Sequence, residues 1–94
     1  MAEAIRDNPA RQRSELDTPG GLAFIDYQRS GRVVAMMHAE VPPAVRGRGF
    51  GARLVRGALD LAREQGETVI PRCPFVASYV RRHPDVQNLV AEPR

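Results

Sequence analysis

The stretch Val45-Arg46-Gly47-Arg48-Gly49-Phe50-Gly51, VRGRGFG, sets three glycines and two arginines into seven positions. Glycine at every second position exposes backbone N–H groups and lets a ligand approach the chain closely. Arginine beside them adds positive charge. This chemistry suits a phosphate, and the surrounding residues decide which kind of phosphate loop it is. On the C-terminal side the apolar period becomes helical: Leu54, Ala58, Leu61, Ala62 and Gln65 recur on one stripe, and Val55 and Leu59 widen it. Gly66 suits the position just past the end of that helix. The loop therefore opens a helix, whose free N–H groups and dipole favour an anion.

Two familiar loops do not fit. Gly47-x-Gly49-x-x-Ala52 has the spacing of a dinucleotide fingerprint, but Pro42 and Pro43 separate it from the preceding strand. The acidic residue nearest the required place, Glu67, comes before its strand instead of ending it. A P-loop requires lysine, and all fourteen cationic side chains of this chain are arginine. Two readings stay open on local grounds: a glycine-rich turn that merely starts a helix, and a pyrophosphate cradle of the form Arg46-x-x-Gly49-x-Gly51.

Upstream, residues 3–8 and 11–18 are polar and β-prone around Pro9, which predicts an edge hairpin. Residues 22–28, LAFIDYQ, read as a strand. Residues 33–41, VVAMMHAEV, form a nearly continuous apolar run, which predicts a central strand buried on both faces. Downstream, residues 68–73 predict a short strand, and Pro74 opens a helix with Phe75, Val76, Tyr79 and Val80 on one face. His83-Pro84 stops it, and residues 85–90 suggest a final helical turn. The fold class is α+β: a mixed, mainly antiparallel sheet with a parallel strand–helix–strand crossover, expected right-handed, and two main helices. Ligands of such sheets sit at the carboxyl ends of the parallel strands. Those ends carry His38, Glu40, the Gly-Arg loop and Cys73.

The chain of 94 residues predicts a single domain over residues 1–94. Its apolar content of 43% and charged content of 27% are those of a folded soluble protein. No apolar run approaches a membrane span, and MAEAIRDNPARQRSELD has no hydrophobic signal segment, so the expected location is cytoplasmic and the expected state a monomer. One cysteine, Cys73, excludes an internal disulfide and a cysteine zinc cluster, and no metal is expected. A net charge of +3 favours anionic ligands but is too weak to argue for nucleic acid, and two tyrosines and three phenylalanines offer little stacking platform for RNA.

The pattern Arg46-x-x-Gly49-x-Gly51 at a helix start resembles the acetyl-CoA loop of the GNAT acetyltransferase superfamily. MHAEVPPAVRGRGFGARLV, PRCPFVASYV and RRHPD resemble its small YjdJ-type branch over residues 3–90. Ala39 stands where that branch commonly carries threonine, which takes a hydroxyl out of that position. The resemblance implies a compact GNAT-like fold and acetyl-CoA-dependent N-acetyl transfer to a small amine or a peptide amine. The alternative is a non-catalytic acyl-CoA-binding module of the same fold. The implied cofactor-binding residues are Glu40, Val41, Arg46, Gly47, Arg48, Gly49, Phe50, Gly51, Phe75 and Arg81. An arginine among Arg46, Arg48, Arg53, Arg81 and Arg82 would meet the ribose 3′-phosphate, against a solvated surface charge as the plain alternative for each.

Four residues are catalytic candidates. His38 and Glu40 lie two apart on one face of a regular strand, where either serves as a general base. Their alternatives are a hydrogen-bonded core histidine and a strand-end carboxylate paired with an arginine. Cys73 precedes a proline at a helix start beside Arg72, features that favour a thiolate. The alternative is a buried, inert thiol. Tyr79 projects from the following helix; in larger members of the superfamily a tyrosine near there protonates the leaving thiolate, and otherwise it is core.

Overall fold

A computed structural model describes residues 5–91. Five strands form one sheet in chain order: β1 (Ile5–Asn8), β2 (Arg13–Thr18), β3 (Gly21–Ser30), β4 (Val33–Glu40) and β5 (Thr68–Pro71). The first four pair antiparallel, and β5 pairs parallel with β4 across the helix α1 (Phe50–Glu64). A second helix, α2 (Pro74–Arg82), follows, then a 3₁₀ segment, Pro84–Leu89. The expected α+β class and mixed sheet are found. Residues 3 and 4 of the expected first strand lie outside the described residues.

The β1–β2 hairpin is polar for a local reason. Glu15 is buried within the sheet, and burying a carboxylate is costly unless it is paired. Arg6 Nε and Asn8 Nδ2, both on β1, donate to its two oxygens at 3.1 and 3.0 Å. The strand after Pro9 starts at Arg13, because Arg11 and Gln12 donate back to Asn8 and Pro9 in a turn.

The apolar run of residues 33–41 is not buried on both faces. Val34 and Met36 face the core, whereas Met37 is 38% exposed and His38 is exposed. The core lies on one face of the sheet, where Leu16, Ala23, Ile25 and Tyr27 meet the buried side of α1. A bulge also interrupts β4. Tyr27 pairs with Met36 and Asp26 with His38, so Met37 is an extra residue. The insertion reverses the alternation. Without it, His38 and Glu40 would follow Met36 onto the core face; with it, Ala39 packs against the core opposite the buried Ile25.

The helix α1 buries Phe50, Leu54, Val55, Ala58, Leu59 and Ala62, while Leu61 is half-buried and Gln65 exposed. The helix ends in a Schellman motif: Gly66 N–H donates to Arg63 C=O and Glu67 N–H to Ala62 C=O. The strand β5 is shorter than expected, because Arg72 and Cys73 both turn their N–H groups onto the Met36 carbonyl, at 3.0 and 2.9 Å. Past the 3₁₀ segment, Val90 bridges Val69, and Ala91 N–H donates to Val69 C=O at 2.8 Å. The outer edge of β5 is thereby covered.

Gly57 sits where α1 crosses β1. A Cβ there would lie 2.9 Å from both Cβ and Cγ2 of Ile5. Glycine-to-alanine in a helix interior ordinarily gains about 0.5–1 kcal/mol. Here the contact involves the stem of a β-branched side chain, so the strand must move. Gly57→Ala is expected to lower stability by roughly 1 kcal/mol, read as a fall in Tm of about 4–8 °C. In an Ile5→Ala background the penalty should shrink.

Candidate functional site

The parallel pairing of β4 and β5 ends at Met36 and Pro71, but β4 runs on to Glu40. Beyond that point the two elements part, and α2 follows β5. A cavity of about 620 Å³ fills the opening. One wall is the end of β4, with His38, Glu40 and Val41. The floor is the loop after it, with Arg46, Gly47, Gly49 and the first turn of α1 at Gly51. The other wall is α2 and its end, with Phe75, Tyr79 and His83.

On the first wall, His38 Nε2 stands 3.1 Å from Glu40 Oε2, and both side chains are more than half exposed. The bulge at Met37 therefore keeps the pair together on one face and turns it away from the core. The core-histidine alternative for His38 is excluded. Glu40 pairs with this imidazole instead of an arginine.

On the floor, Val45 is buried and anchors the loop. Arg46 Nε donates to the Val41 carbonyl at 3.1 Å. Gly47 and Gly49 adopt φ of +79° and +86°, which other residues reach only with strain. Gly49 is the residue before α1, no side chain caps the helix, and its first turn carries no acid. The first helical bond of α1 runs from Arg53 N–H to Gly49 C=O. The amides of Phe50, Gly51 and Ala52 thus have no helical acceptor. Gly51 serves a different end: a Cβ on it would lie 2.8 Å from Cζ of Phe75.

Other candidates are placed elsewhere. Cys73 is 4% exposed, lies in the core cluster and is absent from the cavity lining. It precedes α2, as expected, but its thiol makes no capping hydrogen bond. The anchorage of its N–H to Met36 and the packing around it hold it inward. Phe50 is buried, its ring under the Arg53 guanidinium at 4.8 Å. Arg48 and Arg81 are exposed and do not line the cavity, whereas Arg82 does and donates to Ser78 Oγ at 2.9 Å. Phe75 is 47% exposed at the mouth, off the buried side of α2 that Val76 and Val80 form.

The second wall holds a network that sequence reasoning passed over. Arg56 of α1 donates through Nε to the Tyr79 hydroxyl oxygen at 2.9 Å, and its two terminal nitrogens reach the Asp85 carboxylate at 2.8 and 3.4 Å. The Tyr79 and His83 rings stack, with centroids 3.8 Å apart and planes 12° from parallel. The four-residue spacing of Tyr79 and His83 on one helix was the available signal. The Arg56 guanidinium, hydrogen-bonded to Asp85, holds that carboxyl below the usual carboxylate range. Among the described residues, no group of three or more His, Cys, Asp or Glu side chains is arranged to hold a metal, and no helix is long and apolar enough to cross a membrane.

Residues 13–89 match the family model of the GCN5-related N-acetyltransferases. The chain is 38% identical over 68 residues to protein NATD1 of Gallus gallus and of Mus musculus, an alignment covering 71% of this chain and 62% of theirs. The NATD1 of Homo sapiens is likewise 38% identical, with 71% and 60% covered. The chain thus spans about three fifths of the length of these curated relatives. The solution structure of a GCN5-like protein from Staphylococcus aureus superposes with a TM-score of 0.72 at 19% identity, covering 100% of this chain and 94% of that one. At that identity the likeness concerns the fold.

The Arg56–Asp85 pair ties the last 3₁₀ segment to α1 and gives a pH signature. A carboxyl whose pKa is lowered on folding adds stability above its unfolded pKa of about 3.9, and that stability fades as pH falls through the folded value. The Tm of the protein should therefore drop between about pH 5 and pH 3 more steeply than that of Asp85→Asn. Equal slopes would show that the pair contributes nothing to the folded state.

Proposed function

The chain belongs to the GCN5-related N-acetyltransferase family, and on that premise we propose that it binds acetyl-CoA and transfers the acetyl group to an amine. The observation that carries this reading is a juxtaposition. The uncapped start of α1, behind two glycines at positive φ, borders the same cavity as the His38–Glu40 pair. Acetyl-CoA, when bound, supplies an acetyl group activated as a thioester.

The residues present suit that ligand. The amides of Phe50, Gly51 and Ala52 point the positive end of a helix dipole at the loop, and the first turn of α1 carries no acid to oppose an anion there. Arg46 and Arg82 on the cavity lining add positive charge. The edge of β4 at Glu40 and Val41, beyond its pairing with β5, gives the extended arm of the ligand a backbone to run beside.

The acceptor amine arrives as an ammonium ion at neutral pH and must lose a proton before it attacks. Glu40 draws the cation. The His38 imidazole, hydrogen-bonded to that carboxylate, accepts the proton, and the carboxylate stabilises the imidazolium that forms. The Tyr79 hydroxyl oxygen accepts from Arg56, which leaves its O–H to donate into the cavity toward the leaving sulfur. Cys73 lies in the core, so this reading passes the acetyl group directly to the acceptor.

Calorimetry with acetyl-CoA, followed by product formation across an amine panel, tests the reading. Binding without turnover on any amine would favour an acyl-CoA-binding module. Gly49→Val forces a branched residue to φ near +86° beside the free amides. A folded sample should bind acetyl-CoA about tenfold more weakly or worse, a loss of at least ~1.4 kcal/mol. Unchanged affinity would remove the loop from the site. For Cys73→Ala, we expect a loss of about 1–2 kcal/mol in stability, most of the turnover retained, and no acetylated thiol in intact-mass spectra of the wild type held with acetyl-CoA alone. Abolished turnover in a folded Cys73→Ala protein, with an acetyl adduct on the wild type, would instead make the thiol a carrier.

A further inference from the structure

His83 ends α2, and the sequence signals there nothing more than a helix stop. The structure gives its ring a defined chemical state. Nδ1 stands 2.7 Å from the Tyr79 carbonyl oxygen. A carbonyl oxygen only accepts, so Nδ1 carries hydrogen and the neutral ring keeps its lone pair on Nε2. Among the described residues Nε2 has no hydrogen-bond partner. The ring lies flat against that of Tyr79. Tyr79 is in turn pinned at its hydroxyl by Arg56, whose fork Asp85 holds. Arg63 Nη2 fixes the Asp85 carbonyl from α1 at 2.8 Å. The orientation of His83 is thus set by two contacts to Tyr79 and braced by α1. His83 lines the same cavity as His38 and Glu40.

Proton balance gives this second imidazole a task. A primary ammonium ion that becomes an amide loses two protons, one before attack and one as the nitrogen–carbon bond forms. The His38–Glu40 pair accounts for the first. We infer that His83 Nε2 is the second proton acceptor of the cavity, taking its proton from the attacking nitrogen as the carbon–sulfur bond breaks and its electron pair leaves with sulfur. The imidazolium that results is held by the Tyr79 carbonyl at Nδ1–H. The other charged groups around it are Asp85 in the following 3₁₀ segment, Arg56 and Arg63 of α1, Arg82 of α2, and the His38–Glu40 pair of β4. Asp85 is engaged with Arg56, and the ring makes its hydrogen bond to the Tyr79 carbonyl instead.

This role rests on the acetyltransferase reading; the tautomer does not, and the two are tested separately. Long-range proton–nitrogen correlation spectra of the labelled, ligand-free protein read the ring directly. The expected pattern is a pyrrole-like Nδ1 and a pyridine-like Nε2 on His83. The reverse pattern overturns the inference even if acetyl-CoA binds. The second measurement uses His83→Asn, whose amide N–H preserves a donor toward the Tyr79 carbonyl but has nothing at the Nε2 position. Its kcat should fall about a hundredfold, with acetyl-CoA affinity within about twofold of wild type. Full kcat in a folded His83→Asn protein overturns the inference. Failure of the wild type to bind acetyl-CoA defeats the acetyltransferase reading, and the proton transfer with it, whatever the ring spectra show.

Discussion

The carbonyl of Met36 accepts from two consecutive amides, Arg72 and Cys73, and the site depends on that contact. A parallel ladder spaces its hydrogen bonds evenly along the pair. Here two donors converge on one acceptor, and β5 has no further amide to offer the next residue of β4. The strands stop pairing, while β4 continues for four residues alone on that side. Pro74 then starts α2 at once, with its N-terminus beside the end of β5. A gap at the carboxyl ends of two parallel strands is where ligands of such sheets bind. In this chain the gap is created by backbone hydrogen bonding and requires no special side chain at Met36.

The bulge at Met37 acts on the same half of β4. Side chains alternate along a strand, so one inserted residue exchanges the two faces from that point on. Val34 and Met36 before it and Ala39 after it all serve the core. His38 and Glu40 are released to the other side, where their hydrogen bond forms in the open. Two local departures from a regular strand, one in pairing and one in register, therefore fall within a few residues of each other and produce one feature.

Much of the fold was legible locally. The helical stripe of α1, its glycine stop and the order of strands follow from periodicity and turn chemistry, which depend on near neighbours. What was hidden depends on partners distant in the chain. The apolar run of β4 reads as buried on both faces, yet Met37 owes its place to an insertion relative to β3 that no local pattern reveals. Cys73 has the local marks of an activated thiol, but its depth is set by Met36, thirty-seven residues earlier. His83 reads as punctuation before Pro84, and its hydrogen bond, stack and cavity position come from the docking of α2. The glycine loop was the most legible part of the site, because its chemistry is carried by its own backbone.

The glycines in and just after VRGRGFG meet two distinct demands. Gly47 and Gly49 supply backbone angles: nothing crowds a Cβ at either position, and it is φ alone that excludes other residues. Gly51 and Gly57 lie within α1 and supply proximity. At Gly51 the missing Cβ admits the Phe75 ring, and at Gly57 it admits Ile5 of the edge strand. Helix α1 is thus bare at two points, one facing α2 and one facing β1, six residues apart. The first contact sets the distance between the two helices at the mouth of the cavity, and the second seats the sheet's outermost strand. The start of the same helix has no side-chain cap. One helix therefore fixes the floor of the site, the spacing of its second wall through Phe75, and the bracing of that wall through Arg56.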